Sequence, residues 1–122
     1  MAAIATMEII QEENLLENAS ILGNYMMERI GEYADKYDII GDIRGKGFMI
    51  GVELVSDRKT KEPANKEAEE ICYEAYKKGL IVRSFGRYGN HNVIRMTPHL
   101  ITNKVQVDFA LDVLDSAFKR YS

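Results

Sequence analysis

The hydrophobic repeat of this chain changes period once, near residue 39, and that change limits the fold more than any other feature. Between residues 15 and 37, apolar side chains recur every three or four positions: Leu15, Ala19, Leu22, Met26, Ile30, Tyr33 and Tyr37. They form one stripe of a helix, while Glu17, Asn24, Glu28, Glu32 and Asp35 fall mostly off it. Beyond Ile39 the period is two. Phe48, Ile50, Val52 and Leu54 share one face of a strand, and Met49, Gly51 and Glu53 share the other. Ile39, Ile40 and Ile43 precede them across Arg44-Gly45-Lys46-Gly47, a pattern that predicts two strands joined as a β-hairpin. A long amphipathic helix followed by a half-buried hairpin has to lay one on the other to bury both apolar surfaces.

The remaining segments extend this plan. Residues 2–13 place Ala3, Met7 and Ile10 on one side of a short helix, which needs a neighbour to be stable. Asn14, with Glu17 three residues on, has the spacing of a capping box for the long helix. Residues 56–63 are polar and end in Pro63, as an exposed loop does. Asn65 is placed to cap a third helix with Ala68, Ile71, Cys72 and Ala75 on its inner side, and Gly79 fits its left-handed terminus. Residues 80–82 read as a strand, 84–92 as a loop and 93–96 as a further strand stopped by Pro98. Asn103 and Gln106 open a last helix lined by Val107, Ala110, Leu111, Leu114, Phe118 and Tyr121. The expected fold is α+β: a small, mainly antiparallel sheet with helices packed on it, in one domain spanning residues 1–122.

Composition supports that class and excludes others. Of 122 residues, 46% are hydrophobic and 29% charged, the balance of an ordinary globular domain. A net charge of −3, with basic and acidic residues interspersed, argues against a nucleic-acid partner. Cys72 is the only cysteine, so no internal disulfide can form, and a cytoplasmic location is expected. The first residues lack a basic leader, and no apolar run is long enough for a membrane span.

Few side chains carry an obvious chemistry. Arg44-Gly45-Lys46-Gly47 could cradle a phosphate, but it lacks the spacing and the Lys-Ser/Thr end of a nucleotide-binding loop and leads into a strand. A tight strand connection is the better reading. His91 and His99 have no cysteine or second histidine at metal-ligand spacing. Ser56 and Ser84 lack a histidine-carboxylate context, and Cys72 sits on an apolar helical stripe. Arg95 differs from these: it is a permanent cation among Val93, Ile94 and Met96 on a short strand. On pattern alone it is an edge arginine pointing to solvent.

Two stretches resemble class III aminotransferases, the group that includes 4-aminobutyrate, ornithine and acetylornithine aminotransferases. One is Ile40-Gly41-Asp42-Ile43-Arg44-Gly45-Lys46-Gly47-Phe48-Met49-Ile50-Gly51-Val52-Glu53-Leu54, similar to the hairpin of the family's small domain. The other is Tyr88-Gly89-Asn90 followed by Val93-Ile94-Arg95-Met96-Thr97-Pro98, similar to the segment that carries its substrate arginine. Residues 1–13 resemble the helix that leaves the large domain, and the glycine, tyrosine and asparagine flavour of the Tyr88-Gly89-Asn90 stretch leans toward the 4-aminobutyrate branch. The resemblance implies the C-terminal small domain of the type I pyridoxal-phosphate fold, working as a dimer or other homo-oligomer. It further implies that Arg95 grips a substrate carboxylate while amino groups pass between an ω-amino acid, such as 4-aminobutyrate, and a 2-oxo acid.

The sequence departs from the family pattern at three positions. His91-Asn92 looks like an insertion ahead of the Arg95 strand, and His99 stands where the family has a second proline. The family's cofactor lysine, its aspartate and its phosphate cup belong to the large domain. Lys36, Lys46, Lys59, Lys61, Lys66, Lys77, Lys78, Lys104 and Lys119 all fall in other segments. The chain by itself is therefore expected to bind no pyridoxal phosphate, to hold no metal and to lack transaminase activity without a large cofactor-binding domain, fused or separate. The alternative is a free-standing, non-enzymatic small domain that binds amino or keto acids through Arg95 or mediates oligomerisation.

Overall fold

The computed structural model describes residues 1–121. Two helices, α1 (Ala2–Glu12) and α2 (Leu15–Lys36), lead into the hairpin β1 (Ile40–Lys46) and β2 (Met49–Asp57). The two-residue β3 (Glu62–Pro63), α3 (Asn65–Lys77), β4 (Arg83–Phe85), β5 (Val93–Met96) and α4 (Lys104–Phe118) follow. The sheet runs β1-β2-β5-β4, with β3 paired to the far end of β2, and every pairing is antiparallel. The α+β architecture is as expected.

All seven stripe residues named for the long helix are buried, and all but Leu15 meet Phe48, Ile50, Val52 and Leu54 in one continuous core. Ile94 and Met96 of β5, the inner side of α3, and Val107, Leu111, Leu114 and Phe118 of α4 complete it. Helices α2 and α3 lie on the sheet, and α4 packs against both. Two tyrosines of α2 and Tyr37 at its C-cap fasten α4 along its length. Tyr25 donates to Asp108, Tyr33 to the Leu111 carbonyl at 3.2 Å and Tyr37 to Asp115 at 2.6 Å. Among the described residues, no buried side-chain polar atom lacks a partner.

Close backbone approach sets the hairpin on α2. A Cβ added at Gly23 would stand 2.1 Å from the Gly47 carbonyl oxygen, so only glycine lets the helix touch the turn. That turn is Gly47-Phe48, between the paired Lys46 and Met49, and Gly47 takes a φ of 56°. Phe48 therefore belongs to the turn rather than the strand, although it is buried on the face its period required.

Other boundaries differ from the sequence reading. Asn14 does not build a capping box: its φ is 52°, and its carbonyl, not its side chain, accepts the Asn18 N–H. Asparagine tolerates this left-handed state better than other side chains, so it serves as the kink between α1 and α2. Ala64, not Asn65, is the N-cap of α3, and Asn65 is its first helical residue. The expected strand at residues 80–82 forms instead at β4, within residues 83–85. Gly79 donates to the Tyr76 carbonyl and Leu80 to the Ala75 carbonyl, a two-bond helix stop that holds Leu80 out of the sheet. The loop at 56–63 is partly strand, and Arg58 within it caps α2 by donating to the carbonyls of Ala34, Tyr37 and Asp38. Helix α1 touches α2 and no other element. Its Ala3, Ile4, Met7 and Ile9 are exposed, and Ile10 is half-buried.

Candidate functional site

One face of the sheet is covered by helices; the other is open. On the open face, register aligns one residue from each main strand: Arg44 faces Gly51, Gly51 faces Arg95, and Arg95 faces Arg83. Three guanidinium groups thus spring from one row, with a glycine between the first and second.

Their surroundings differ. Arg44 is matched by two carboxylates, Asp42 at 2.7 Å and Glu53 at 3.4 Å. Arg95 has no ion pair among the described residues. Its guanidinium carbon instead lies 4.1 Å from the centroid of the Phe85 ring. A guanidinium over an aromatic face is attracted by the ring's negative face and keeps its N–H fork free at the edges. The ring therefore aims the cation without neutralising it.

Arg95, Phe85 and Thr97 form the ridge between two clefts. One, of about 760 Å³, is also lined by Arg83, His99 and Gln106, and none of the side chains around it is acidic. The other, of about 540 Å³, lies toward the hairpin beside Arg44, Met49 and Glu53. Arg95 is exposed, as an edge arginine would be, but it borders concave surface on both sides.

The segments flanking β5 are fastened to the scaffold. Asn65 accepts the His91 N–H at 2.7 Å and donates to Asn90 Oδ1 at 3.2 Å, tying down the loop ahead of the strand. Asn92 is 5% exposed and bonds to both backbone groups of Leu54: its carbonyl accepts at 2.7 Å, and its amide donates at 2.9 Å. His91-Asn92 therefore anchors the strand from its core side, whereas His99 lines the larger cleft. Beyond β5, Asn18 donates to the carbonyls of Leu100 and Thr102, fixing the loop that carries His99. Gly89 and Tyr88 turn the preceding loop with φ of 82° and 56°, and Tyr88 is 98% exposed.

The remaining candidates do little here. Cys72 is half-buried against Ser84, and burial raises its thiol pKa, away from reactivity. Among the described residues no cluster of His, Cys, Asp or Glu could hold a metal. A lysine that binds an aldehyde cofactor needs a shielded pocket. No lysine lines the larger cleft, and Lys46, at the exposed hairpin end, is the only one beside the smaller. What the two clefts share is the exposed Arg95 guanidinium beside Phe85 and Thr97.

Sequence reasoning singled out Arg95 but passed over Arg83 and Phe85. The alternation Arg83-Ser84-Phe85 was the available signal, since it places the first and third residues on the Arg95 face.

The family model for class III aminotransferases matches residues 1–118. An alanine/serine racemase of Pyrococcus horikoshii is 46% identical over 97% of this chain, which spans 24% of that protein. A mitochondrial alanine–glyoxylate aminotransferase 2 homolog of Arabidopsis thaliana is 40% identical over 98% of the chain, again 24% of its own length. The structure of a Bacillus anthracis aminotransferase superposes with a TM-score of 0.91 at 34% identity, covering 97% of this chain and 27% of that one. The chain thus spans about a quarter of the curated relatives it matches. It belongs to the class III aminotransferase family.

Proposed function

We propose that this chain is the small, carboxylate-gripping domain of a pyridoxal-phosphate enzyme acting on amino acids, with Arg95 as the residue that holds the substrate acid group. The observation that carries this reading is an arginine stacked on Phe85, without an acidic partner among the described residues, on the ridge of two clefts. Its planar fork can donate two parallel hydrogen bonds to a carboxylate. Hydrogen bonds to charged groups contribute roughly 1.5–3 kcal/mol each, enough to fix the substrate's orientation. The substrate's amino group is then presented toward the cofactor, which supplies the electron sink for the bond-breaking step.

Pyridoxal phosphate, its lysine and its phosphate contacts would sit in a large domain facing the open side of the sheet, with α1 as the link. The whole protein would then transfer amino groups between an amino acid and a 2-oxo acid as a homo-oligomer. The ω-amino acid reading, with 4-aminobutyrate as the type substrate, rests on Tyr88-Gly89-Asn90. The 46% identity to an alanine/serine racemase favours a second reading, in which the same grip serves inversion of an α-amino acid.

Kinetics of the complete protein test the first point. Arg95→Gln should lower kcat/KM for an amino acid by about a hundredfold, the worth of one or two charge-assisted bonds. An amine without a carboxylate should be much less affected. Equal losses for both would remove Arg95 from substrate binding. Supplying L-alanine with 2-oxobutyrate separates the two reactions: 2-aminobutyrate reports transfer, and D-alanine reports racemisation.

A further inference from the structure

The arginine row poses a problem that a single carboxylate does not solve. Arg83 and Arg95 are direct partners across the β4–β5 ladder and project from the same face. Side chains so placed start about 5 Å apart, and like charges there destabilise a sheet. Arg44, in the same row, is neutralised by Asp42 and Glu53. Neither Arg83 nor Arg95 has an acid within ion-pairing distance among the described residues. Both line the larger cleft, whose wall carries no Asp or Glu, while His99 and Gln106 add further polar groups. The fold therefore concentrates two positive charges in a concavity and leaves them uncompensated. A monocarboxylate held by Arg95 would balance only one of them.

We infer that Arg83 and Arg95 together form a two-guanidinium seat for a small anion bearing two negative charges, and that Arg83 selects such ligands over simple monocarboxylates. This rests on the reading of Arg95 given above and adds a specificity residue to it. Two forks offer up to four convergent N–H donors from neighbouring strands, which suits a dicarboxylate or a phosphonate head. Phe85 holds Arg95 in place from beneath. Arg83 has no ring contact of this kind among the described residues and supplies the second charge of the seat.

Isothermal titration of the full chain with butyrate, glutarate and propylphosphonate at fixed, low ionic strength tests this. At least one of the two dianions should bind about tenfold more tightly than butyrate, the equivalent of one charge-assisted hydrogen bond. Which of them gains identifies the chemical source of the second charge. Arg83→Gln should erase that advantage, bringing dianion and butyrate affinities to within about twofold of each other, with the fold kept because Arg83 is exposed and its loss breaks no core contact. Arg83→Lys should keep part of it. Arg87→Gln, an exposed arginine away from both clefts, controls for general charge and should change nothing. No dianion preference, or a preference that survives Arg83→Gln, overturns the inference. If Arg95→Gln leaves butyrate binding intact, the Arg95 reading fails instead. If nothing binds, both fail.

Discussion

Ile94 and Arg95 are neighbours on one short strand, yet they live under opposite rules. Ile94 is fully buried in the core, where shape decides what fits. Arg95 stands on the open face, where charge and a single aromatic support decide what it can hold. The same alternation runs through β2, where Ile50, Val52 and Leu54 are sealed while Met49, Gly51 and Glu53 line the open side. The helices that cover one face leave the other open. Core packing and the proposed carboxylate grip are thus separated by one residue of register.

The largest effect should come from the buried side. Ile94→Ala should cost about 2–5 kcal/mol in urea denaturation, whereas Arg95→Ala should change stability by no more than about 0.5 kcal/mol. Comparable losses for the two would break the contrast. Next, Gly23→Ala forces a methyl into the Gly47 backbone and should cost about 1–3 kcal/mol despite alanine's better helix propensity.

Tyr37 gives a pH-dependent version of the same contrast. Its hydrogen bond to Asp115, with burial, pushes its phenol from the ordinary 10.0 up to about 12. The native state therefore keeps the Tyr37 proton at pH values where the unfolded chain has lost it. Its contribution is complete below pH 10.0 and should fall away as pH rises toward about 12. Tyr37→Phe should cost about 1 kcal/mol at neutral pH and flatten the denaturation midpoint between those limits. The smallest effect belongs to the open face: Arg44→Ala removes exposed ion pairs and should cost less than about 1 kcal/mol.

The buried half of this division was legible in the sequence because periodicity reports burial. The α2 stripe, the inner face of β2 and the Asn103–Gln106 capping box all stand where pattern placed them. Errors arose where one residue could serve two local structures. Leu80 is apolar and precedes Ile81 and Val82, but its N–H is spent on the end of α3, so the strand starts at Arg83. Asn14 and Asn65 suit caps by type; one became a left-handed kink and the other the tether of the His91 loop. The open face was less legible. Arg95 stood out through its apolar neighbours and the family resemblance, but the row linking it to Arg83 and Arg44 exists only once three strands are in register.

Arginine side-chain NMR offers the most direct test of the division itself. Titrating butyrate into the nitrogen-15-labelled chain should shift the Arg95 Nε resonance saturably while Arg44, already occupied by Asp42 and Glu53, stays still. If Arg95 fails to respond, or if both resonances drift alike without saturation, the open face is ordinary solvated surface and the carboxylate grip does not exist.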